Sequence, residues 1–468
     1  MILILAQTLS TPSPQGGGEF RRGACPGLSA PMPTGDGLLA RLLPTGTIPL
    51  DAFQALCAAA REHGNGIIEI TARGNIQVRG LSAASAVRFA AAIAKLNIAA
   101  SDTIQVQSNP LAGLDPEEIL DASEIAAALR RALAKTPLPR HLAPKVSVIV
   151  DGGGAPSLGH LVADVRLRAG RSNDQVVFHL SVAGDQTNAM ALGSVVLDHA
   201  IEVPLHLLDV IARSGHAARA RDVVAADAGD AFRAAIADFL MPNAPPPSVQ
   251  QPSEPIGTYP LRDGTVACGL GLAFGHATAA SLEELTRAAA AQGAAGLRTA
   301  PGRALLILGL ARQAAASMAA AAERLGFVVH ADDARRSVFA CAGAPICSSA
   351  YIAARAMAPR VAEIAASRLG TDFDIHISGC AKGCAHSKQA ALTIVGTANG
   401  CAMIANGRPG GVPFAIVATD ELPEAIARFA DASRREDSEE DGQENNQENG
   451  QENGQENSRE SSQETNHV

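Results

Sequence analysis

The sequence predicts an α+β protein built from two pseudo-symmetric halves. A block that reads as turn, helix, glycine and strand runs from 46 to 81, and the same order recurs from 275 to 310. A Pro-rich run from Met241 to Pro255 separates the copies, and each copy is followed by a segment of mixed α/β pattern. Identical residues match at one constant offset, with Gly46, Leu56, Ala59, Ala60, Gly64, Gly80 and Leu81 opposite Gly275, Leu285, Ala288, Ala289, Gly293, Gly309 and Leu310. Gene duplication explains this match, and chance similarity between alanine-rich helices is the alternative.

These features divide the 468 residues into segments. We expect a disordered lead at 1–23, a first half-domain at 24–97, an α/β domain at 98–240, a Pro-rich linker at 241–255, a second half-domain at 256–322, a second α/β domain at 323–432 and a disordered acidic tail at 433–468.

Most of the formal charge of −9 lies near the C-terminus, where residues 436–468 hold eleven Asp or Glu and one base, Arg459. Repeated Gln-Glu-Asn-Gly units cannot form a core, so this tail should be disordered. The longest apolar stretches, Met1–Ala6 and Ala304–Ala311, are far shorter than the roughly 20 residues of a membrane span. A secretory signal is not expected, because no basic flank precedes the first stretch. We predict a cytoplasmic protein with no nucleic-acid or membrane partner.

Four of the eight cysteines form two tight pairs. Cys341 and Cys347 have five residues between them, and Cys380 and Cys384 have three. Four thiolates satisfy a 4Fe-4S cluster, so the pairs predict a cluster site and a redox protein. A structural zinc site, disulfides and inert buried cysteines are the alternatives. The five-residue gap suits zinc poorly, and disulfides need an oxidising compartment. The remaining cysteines, Cys25, Cys57, Cys268 and Cys401, are single and read as small apolar residues.

The first copy of the repeat carries polar residues that the second lacks. Along Ile70–Gly80, alternation places Arg73, Asn75, Gln77 and Arg79 on one face of a predicted strand. The equivalent stretch, Ala300–Gly309, is apolar apart from Arg303. Four hydrogen-bonding side chains on one face predict a ligand, with a solvated strand face as the alternative.

Two segments resemble a known superfamily. His376–Lys388, with Cys380 and Cys384, and Leu392–Gly396 resemble the cluster loop of the sulfite and nitrite reductases. Within that superfamily they are most similar to the precorrin-3B synthase family, and so is the opening block Cys25–Leu28 and Pro31–Arg41. Ala381 stands where the reductases usually have proline. The resemblance implies a duplicated fold of two ferredoxin-like half-domains that share a sheet and two α/β domains that enclose the cofactor.

The resemblance also implies a reaction. Members of that family are monooxygenases of cobalamin biosynthesis that insert one oxygen atom of O2 into precorrin-3A and close a γ-lactone. They use a 4Fe-4S cluster and a mononuclear non-haem iron, and an external donor, expected to be NADH acting through a reductase, supplies the electrons. The iron ligands are not readable from the sequence. Asp36, His376 and His386 lie in motif loops and could serve, although loop histidines more often form hydrogen bonds.

A precorrin carries many carboxylates, so its site must supply several cationic groups. The candidates for substrate binding are Arg41, Arg73, Asn75, Gln77, Arg79, Lys145 and Arg166, and Arg73 and Lys145 are also the candidates for catalysis. Each of the charged candidates could instead be an ordinary surface charge. The run Gly152–Gly154 could hold an anion but is more typical of a plain turn.

Two other functions stay open. The reductases have an arginine in the segment after the first half-domain, and the matching segment here, Thr103–Leu114, has no basic residue. A sulfite or nitrite reductase that uses sirohaem is therefore the second hypothesis. A non-catalytic, tetrapyrrole-binding iron-sulfur protein is the third.

Overall fold

The computed structural model describes residues 26–101, 104–173, 175–242, 253–368, 373–386 and 388–433. The predicted lead, most of the Pro-rich linker, almost all of the acidic tail and Cys25 lie outside these residues. Four sheets organise the described chain. They form two half-domains with helices on one face and two α/β domains, so the α+β prediction is confirmed.

The first half-domain has a sheet of strands β1 to β4 and two helices. Its elements are β1 Met32–Thr34, β2 Gly37–Leu42, α1 Leu50–His63, β3 Ile67–Ile70, β4 Ile76–Leu81 and α2 Ala83–Ala94. Helix α1 buries Phe53, Leu56 and Ala60 against the sheet. Helix α2 begins after Ser82, whose hydroxyl accepts a hydrogen bond from the Ser85 N–H.

The first α/β domain follows. Its elements are β5 Gln105–Ser108, α3 Ala122–Ala134, α4 Leu138–His141, β6 Ser147–Asp151, β7 Ala163–Ser172, β8 Gln175–Gly184, β9 Met190–Val196, α5 Glu202–Arg213, α6 Ala220–Asp227 and α7 Asp230–Ile236. The sheet order is β5-β6-β7-β8-β9. Strands β5, β6 and β7 run parallel, β8 pairs antiparallel with β7, and β9 pairs antiparallel with β8. Every residue of β6 is buried, as expected for a strand covered on both faces.

The second half repeats this order. Its elements are β10 Gly257–Pro260, β11 Val266–Gly271, β12 His276–Thr278, α8 Ala279–Ala291, β13 Gly296–Ala300, β14 Ala304–Leu310, α9 Ala315–Arg324, β15 Val338–Ala340, α10 Ala354–Arg368, β16 Ile375–Ser378, β17 Ala390–Thr397, β18 Gly400–Gly407 and β19 Ala415–Val417, with a last helix from 422 to 433. The second α/β sheet, β15-β16-β17-β18-β19, has the same order and the same parallel and antiparallel neighbours as the first. The duplication therefore extends beyond the block that the sequence showed.

The two half-domains exchange strands reciprocally. Ala277 of β12 pairs with Ile68 of β3, and Ile48 pairs with Leu297 of β13. These two pairings are equivalent under the repeat. Helices α1 and α8 also pack together, and one apolar core includes residues of both half-domains. The pseudo-two-fold axis therefore runs through a shared core.

Candidate cluster and substrate site

The four paired cysteines lie at the carboxyl ends of β15 and β16, two parallel strands at one edge of the last sheet. Cys341 is the first residue after β15, and Gly379 and Cys380 follow β16 directly. The Gly379 N–H donates to Cys341 Sγ at 3.0 Å, and the Cys347 N–H donates to the Gly343 carbonyl at 2.8 Å. Because parallel strands end at the same edge of a sheet, the loops that carry these residues meet.

The thiols influence one another electrostatically. Burial raises the pKa of Cys341 and of Cys384, and neighbouring thiols among the four raise both further. The N–H groups of Gly379 and Gly343 partly offset this at Cys341, and Arg79 does so at Cys384. Four thiolates this close together repel one another unless a cationic centre lies between them.

The loops around the sulfur atoms depend on glycine. A Cβ atom at Gly379 would lie 2.6 Å from Ala350 Cβ and 3.4 Å from Cys341 Sγ. Gly343 has a φ of +67°, which favours glycine. The donor set and this close backbone packing fit a 4Fe-4S cluster, and Cys341, Cys347, Cys380 and Cys384 would hold it.

The other uses of the cysteines fit less well. Among the described residues, no three His, Cys, Asp or Glu side chains converge as ligands of one metal ion. Each iron of a cubane takes a different cysteine, so its ligands stand farther apart than those of one zinc ion. Every described cysteine is free of disulfides. Cys57, Cys268 and Cys401 are buried separately in apolar cores.

Arg79 and Gln77 belong to a network of charged and polar side chains around Asp36 and Glu69, in which Glu69 also accepts from Arg355 at 2.7 Å. Arg79 donates to both carboxylate oxygens of Asp36, at 2.9 and 2.8 Å, and lies 3.6 Å from Glu69 Oε2. Burial raises the pKa of Asp36, but hydrogen bonds from Arg79 and Thr34 hold it below its usual value.

Gln77 lies between Arg41 of β2 and Glu69 of β3. With its amide oxygen toward Arg41 and its nitrogen toward Glu69, it accepts from Arg41 Nε at 2.9 Å and donates to Glu69 at 3.1 Å. A substrate carboxylate would therefore have to compete with Asp36 and Glu69 for Arg79 and with Gln77 for Arg41.

The predicted strand face does not extend through all four polar residues. Strand β4 begins at Ile76, and residues 71–75 form the turn between β3 and β4. The Thr71 hydroxyl accepts from the N–H groups of Arg73 and Asn75, and Gly74 has a φ of +80°. The expectation that Arg73 and Asn75 share a strand face with Gln77 and Arg79 is wrong, because this turn ends the alternation.

Arg73 and Asn75 instead line an open polar cavity between the half-domains and the first α/β domain. Gln105 and Gln107 of β5, Arg130 of α3 and Arg298 of β13 complete its polar wall. No Asp or Glu is among the described residues that line it. Arg130 donates to the Val106 carbonyl at 2.8 Å, and Arg298 donates to the carbonyls of Pro110 and Ala112 at 3.1 and 2.9 Å. The wall therefore presents three guanidinium groups to the cavity.

Arg166 lies on the face of the β5–β9 sheet that is opposite its apolar core. It is buried, and its guanidinium donates to the carbonyls of Leu158, at 3.1 Å, and Leu161. Arg168 is buried on the same face, between Asp151 of β6 and His179 of β8 in the strand register.

Lys145 is exposed in the turn before β6 and does not line the cavity, and its role stays a prediction. The run Gly152–Gly154 is a turn. The Gly152 N–H donates to Asn109 Oδ1 at 2.8 Å and the Gly153 N–H to Asp151 Oδ1 at 2.9 Å. These two N–H groups are used within the domain.

The three candidate iron ligands do not form one group. Asp36 is paired with Arg79, whereas the rings of His376 and His386 lie 5.8 Å apart in the second α/β domain. His376 is fully buried, and neither of its ring nitrogens has a hydrogen-bond partner. Phe339 stacks on His386 at 4.3 Å and lies under the Arg303 guanidinium at 4.3 Å. Two imidazoles fall short of a mononuclear iron site, so no reaction step is assigned to such an ion.

The family model for the nitrite/sulfite reductase ferredoxin-like half domain matches residues 30–96, inside the predicted first half-domain. The Mycobacterium tuberculosis NirA protein has the same fold, with a TM-score of 0.67 over 84% of this chain and 80% of that chain, at 20% identity. A curated protein named precorrin-3B synthase, from Sinorhizobium sp, is 40% identical over 418 residues, which cover 89% of this chain and 90% of that relative. The chain belongs to the precorrin-3B synthase family.

In this member of the precorrin-3B synthase family, sequence reasoning missed three buried or cavity-lining arginines. Arg168 could have been found, because it follows Arg166 by two residues in a strand and so shares its face. Arg130 and Arg298 carry no such signal, since they reach the cavity from a helix and from the other half-domain. No described helix combines the length and apolar character that crossing a membrane requires.

Proposed function

We propose that this chain is a precorrin-3B synthase that uses O2 to hydroxylate precorrin-3A and closes a γ-lactone on the product. The observation that carries the proposal is the cysteine tetrad close to an arginine-lined cavity, in a chain 40% identical to a protein of that name. The turn 300–303 connects the two places. Pro301 lines the cavity, the Gly302 N–H donates to the Ala72 carbonyl at 3.0 Å, and Arg303 reaches the Ala385 carbonyl in the cluster loop at 3.4 Å.

The protein's own residues would bind and orient a polycarboxylate. Arg73, Arg130 and Arg298 offer charge-assisted hydrogen bonds to carboxylates, and Asn75, Gln105 and Gln107 offer neutral ones. Arg166 and Arg168 add buried positive charge on the neighbouring sheet face. Arg41, Gln77, Arg79 and Lys145 remain proposed substrate contacts that require rearrangement of the network or a substrate that extends beyond the cavity.

The overall reaction needs an electron source outside the chain. One oxygen atom of O2 enters the substrate, and the other leaves as water after it takes up two electrons and two protons. A 4Fe-4S cluster held by the four cysteines would supply one-electron transfer. We propose NADH, acting through a separate reductase, as the donor and a cytoplasmic location for the reaction.

Isotope labelling tests the reaction. Purified protein, precorrin-3A, a reductant and isotopically labelled O2 should give a product that carries one labelled oxygen. Product without label would exclude the monooxygenase reaction, and omission of precorrin-3A gives the background of uncoupled O2 consumption.

The second candidate function, a sirohaem-dependent sulfite or nitrite reductase, differs from the proposed synthase in its absorption spectrum and its substrates. Sirohaem gives strong red bands, whereas a cluster alone gives a broad brown shoulder. The wall segment β5 presents the amides of Gln105 and Gln107 and no cation, which disfavours binding of a small, doubly charged oxyanion. Brisk sulfite or nitrite reduction by the red protein would favour this candidate, whereas colourless protein without iron would contradict both.

A further inference from the structure

The tip of the β1–β2 hairpin touches the proposed cluster site from the opposite half of the chain. All four cysteines belong to the second α/β domain, but Gly35, in the hairpin tip 34–37 of the first half-domain, lies against Cys347. The Ser348 N–H donates to the Gly35 carbonyl at 3.0 Å, so the hairpin tip is hydrogen-bonded to the residue next to Cys347.

Gly35 permits this contact because it lacks a side chain. A Cβ atom at this position would overlap Cys347 Sγ and lie 3.2 Å from the Ser348 nitrogen. The φ of Gly35 is not in the left-handed region, so alanine could adopt the backbone conformation. The requirement for glycine at this position therefore comes from the neighbouring sulfur atom.

The residue after Gly35 brings charge to the same place. The Asp36 side chain is 3% exposed and holds Arg79 by two hydrogen bonds. Thr34 Oγ1 donates to Asp36 at 2.7 Å and fixes the carboxylate within the hairpin tip. Asp36 is the next residue after Gly35, so Arg79 is held beside the contact between Gly35 and Cys347. The hairpin tip therefore contacts one cysteine sterically and fixes a guanidinium next to that contact.

We propose that the hairpin tip, residues 34–37, is a cap on the 4Fe-4S cluster, in which Gly35 positions Cys347 and Asp36 balances the charge of Arg79 next to that contact. The cap rests on the proposed presence of the cluster. It goes beyond that proposal because it makes cluster retention depend on docking of the first half-domain, which contributes no ligand.

The effect of a Cβ atom at Gly35 differs between a free thiol and a ligand. A free Cys347 side chain can rotate to another rotamer and relieve the overlap. A sulfur atom bound to iron cannot rotate without breaking its bond. The substitution Gly35→Ala should therefore have little effect on metal-free protein and a large effect on the cluster.

The test compares wild type, Gly35→Ala and the control Gly27→Ala, all purified anaerobically. Gly27 lies in the same N-terminal segment, and a Cβ atom there would meet nothing within 4 Å. We expect Gly35→Ala to lose at least half of its iron and inorganic sulfide, or to bleach several-fold faster in air, while Gly27→Ala matches wild type. Melting temperatures of the metal-free proteins should agree within error. Equal iron content and equal bleaching in all three would overturn the cap.

A second variant tests the charge. Asp36→Asn leaves Arg79 without its main counter-charge, so the reduced cluster should be favoured and its midpoint potential should rise. Asp230→Asn is the control, because Asp230 is exposed in the first α/β domain. An unchanged or lowered potential in Asp36→Asn would contradict the role of the pair. Wild-type protein without iron and sulfide would instead contradict the proposed cluster itself, so the two failures are distinguishable.

Discussion

The arginine near the four cysteines and the arginines that line the cavity differ in the groups that bind their guanidinium. On the cluster side, Arg79 is held by Asp36 and Glu69. On the cavity side, Arg130 and Arg298 donate to main-chain carbonyls, which are neutral. A guanidinium held by neutral groups keeps its full charge for a ligand. Residue spacing alone could not make this distinction, because the partners come from distant parts of the chain.

Arg73→Ala should weaken binding of precorrin-3A. A charge-assisted hydrogen bond contributes about 1.5–3 kcal/mol, which corresponds to an about 10- to 150-fold rise in Kd. Iron content should not change, because the Arg73 guanidinium donates to the Val162 carbonyl of the first α/β domain, whereas the four cysteines belong to the second. Titration of the protein with substrate, followed by absorbance, measures the effect. Arg140→Ala, at an exposed position of α4, is the control, and equal Kd values for the two variants would contradict the assignment.

The assignment of four cysteines as cluster ligands predicts the iron and sulfide content of Cys→Ser variants. Serine at Cys341, Cys347, Cys380 or Cys384 should lower iron and inorganic sulfide sharply, because a hydroxyl is a poor ligand for cluster iron. Cys401→Ser should keep both, since Cys401 lies on β18 within an apolar core. Metal and sulfide analysis of anaerobic preparations decides the matter, and equal losses in all five variants would refute the assignment.

At the level of elements, the sequence predicted one helix and one strand in each half-domain, and it missed the turn that divides the first of these strands. The repeat offset carries α1 onto α8 and β4 onto β14, and it also carries β2 onto β11, which lie outside the predicted blocks. The polar run from Arg73 to Arg79 read as one strand because its alternation is regular. Gly74 and the hydrogen bonds to Thr71 divide it, and this depends on a local conformation that alternation does not report.

The loops at the carboxyl ends of the two parallel strand pairs are equivalent, which the sequence did not show. Asn109 follows β5 as Cys341 follows β15, and Gly152 follows β6 as Gly379 follows β16. The Gly152 N–H donates to Asn109 Oδ1, as the Gly379 N–H donates to Cys341 Sγ. One hydrogen-bonding scheme therefore closes a plain loop in the first half and supports a cluster ligand in the second.

The exchanged strand β12 should make stability depend on pH. Burial, followed by the charge of Arg355, lowers the pKa of His276 to about 4. The unfolded chain, with a histidine pKa of about 6.5, binds the proton first as pH falls. The contribution of neutral His276 to the free energy of unfolding is therefore fully present above pH ~6.5 and is lost as the pH falls toward ~4. His276→Gln should reduce the loss in unfolding free energy between pH 7 and pH 5 by roughly 2 kcal/mol. Chemical denaturation of metal-free protein at the two pH values measures this.

The control for this prediction is His216→Gln, at an exposed position in the first α/β domain. It should show the same pH dependence as wild type. If His276→Gln also keeps the wild-type dependence, His276 does not contribute to the acid lability of the fold.

The whole molecule is organised by a two-fold relation that only part of the sequence still records. Seven residues that are identical in the two copies of the repeat reveal the half-domains. The pair Gly80 and Gly309 shows why some of these identities were kept after duplication. Both have a φ near +75°, at +73° and +77°, in the region that favours glycine. The α/β domains share strand order without such a signal, because packing tolerates many apolar residues at one position. The resemblance implied half-domains that share a sheet, but the sequence does not show which strands are exchanged, since pairing between distant segments leaves no local pattern.

The strand exchange predicts that neither half folds alone. A fragment of residues 24–247 would lack the partner of Ile68, and a fragment of 248–433 would lack the partner of Leu297. Each would also expose its side of the shared apolar core, so each should be insoluble or aggregated when produced alone. Produced together, the two should purify as a complex that contains iron. Ala277→Pro in the second fragment should abolish complex formation, because proline cannot donate to the strand ladder, whereas Ala277→Ser should preserve it. A soluble single fragment with its own cooperative unfolding transition would show that the halves are independent domains.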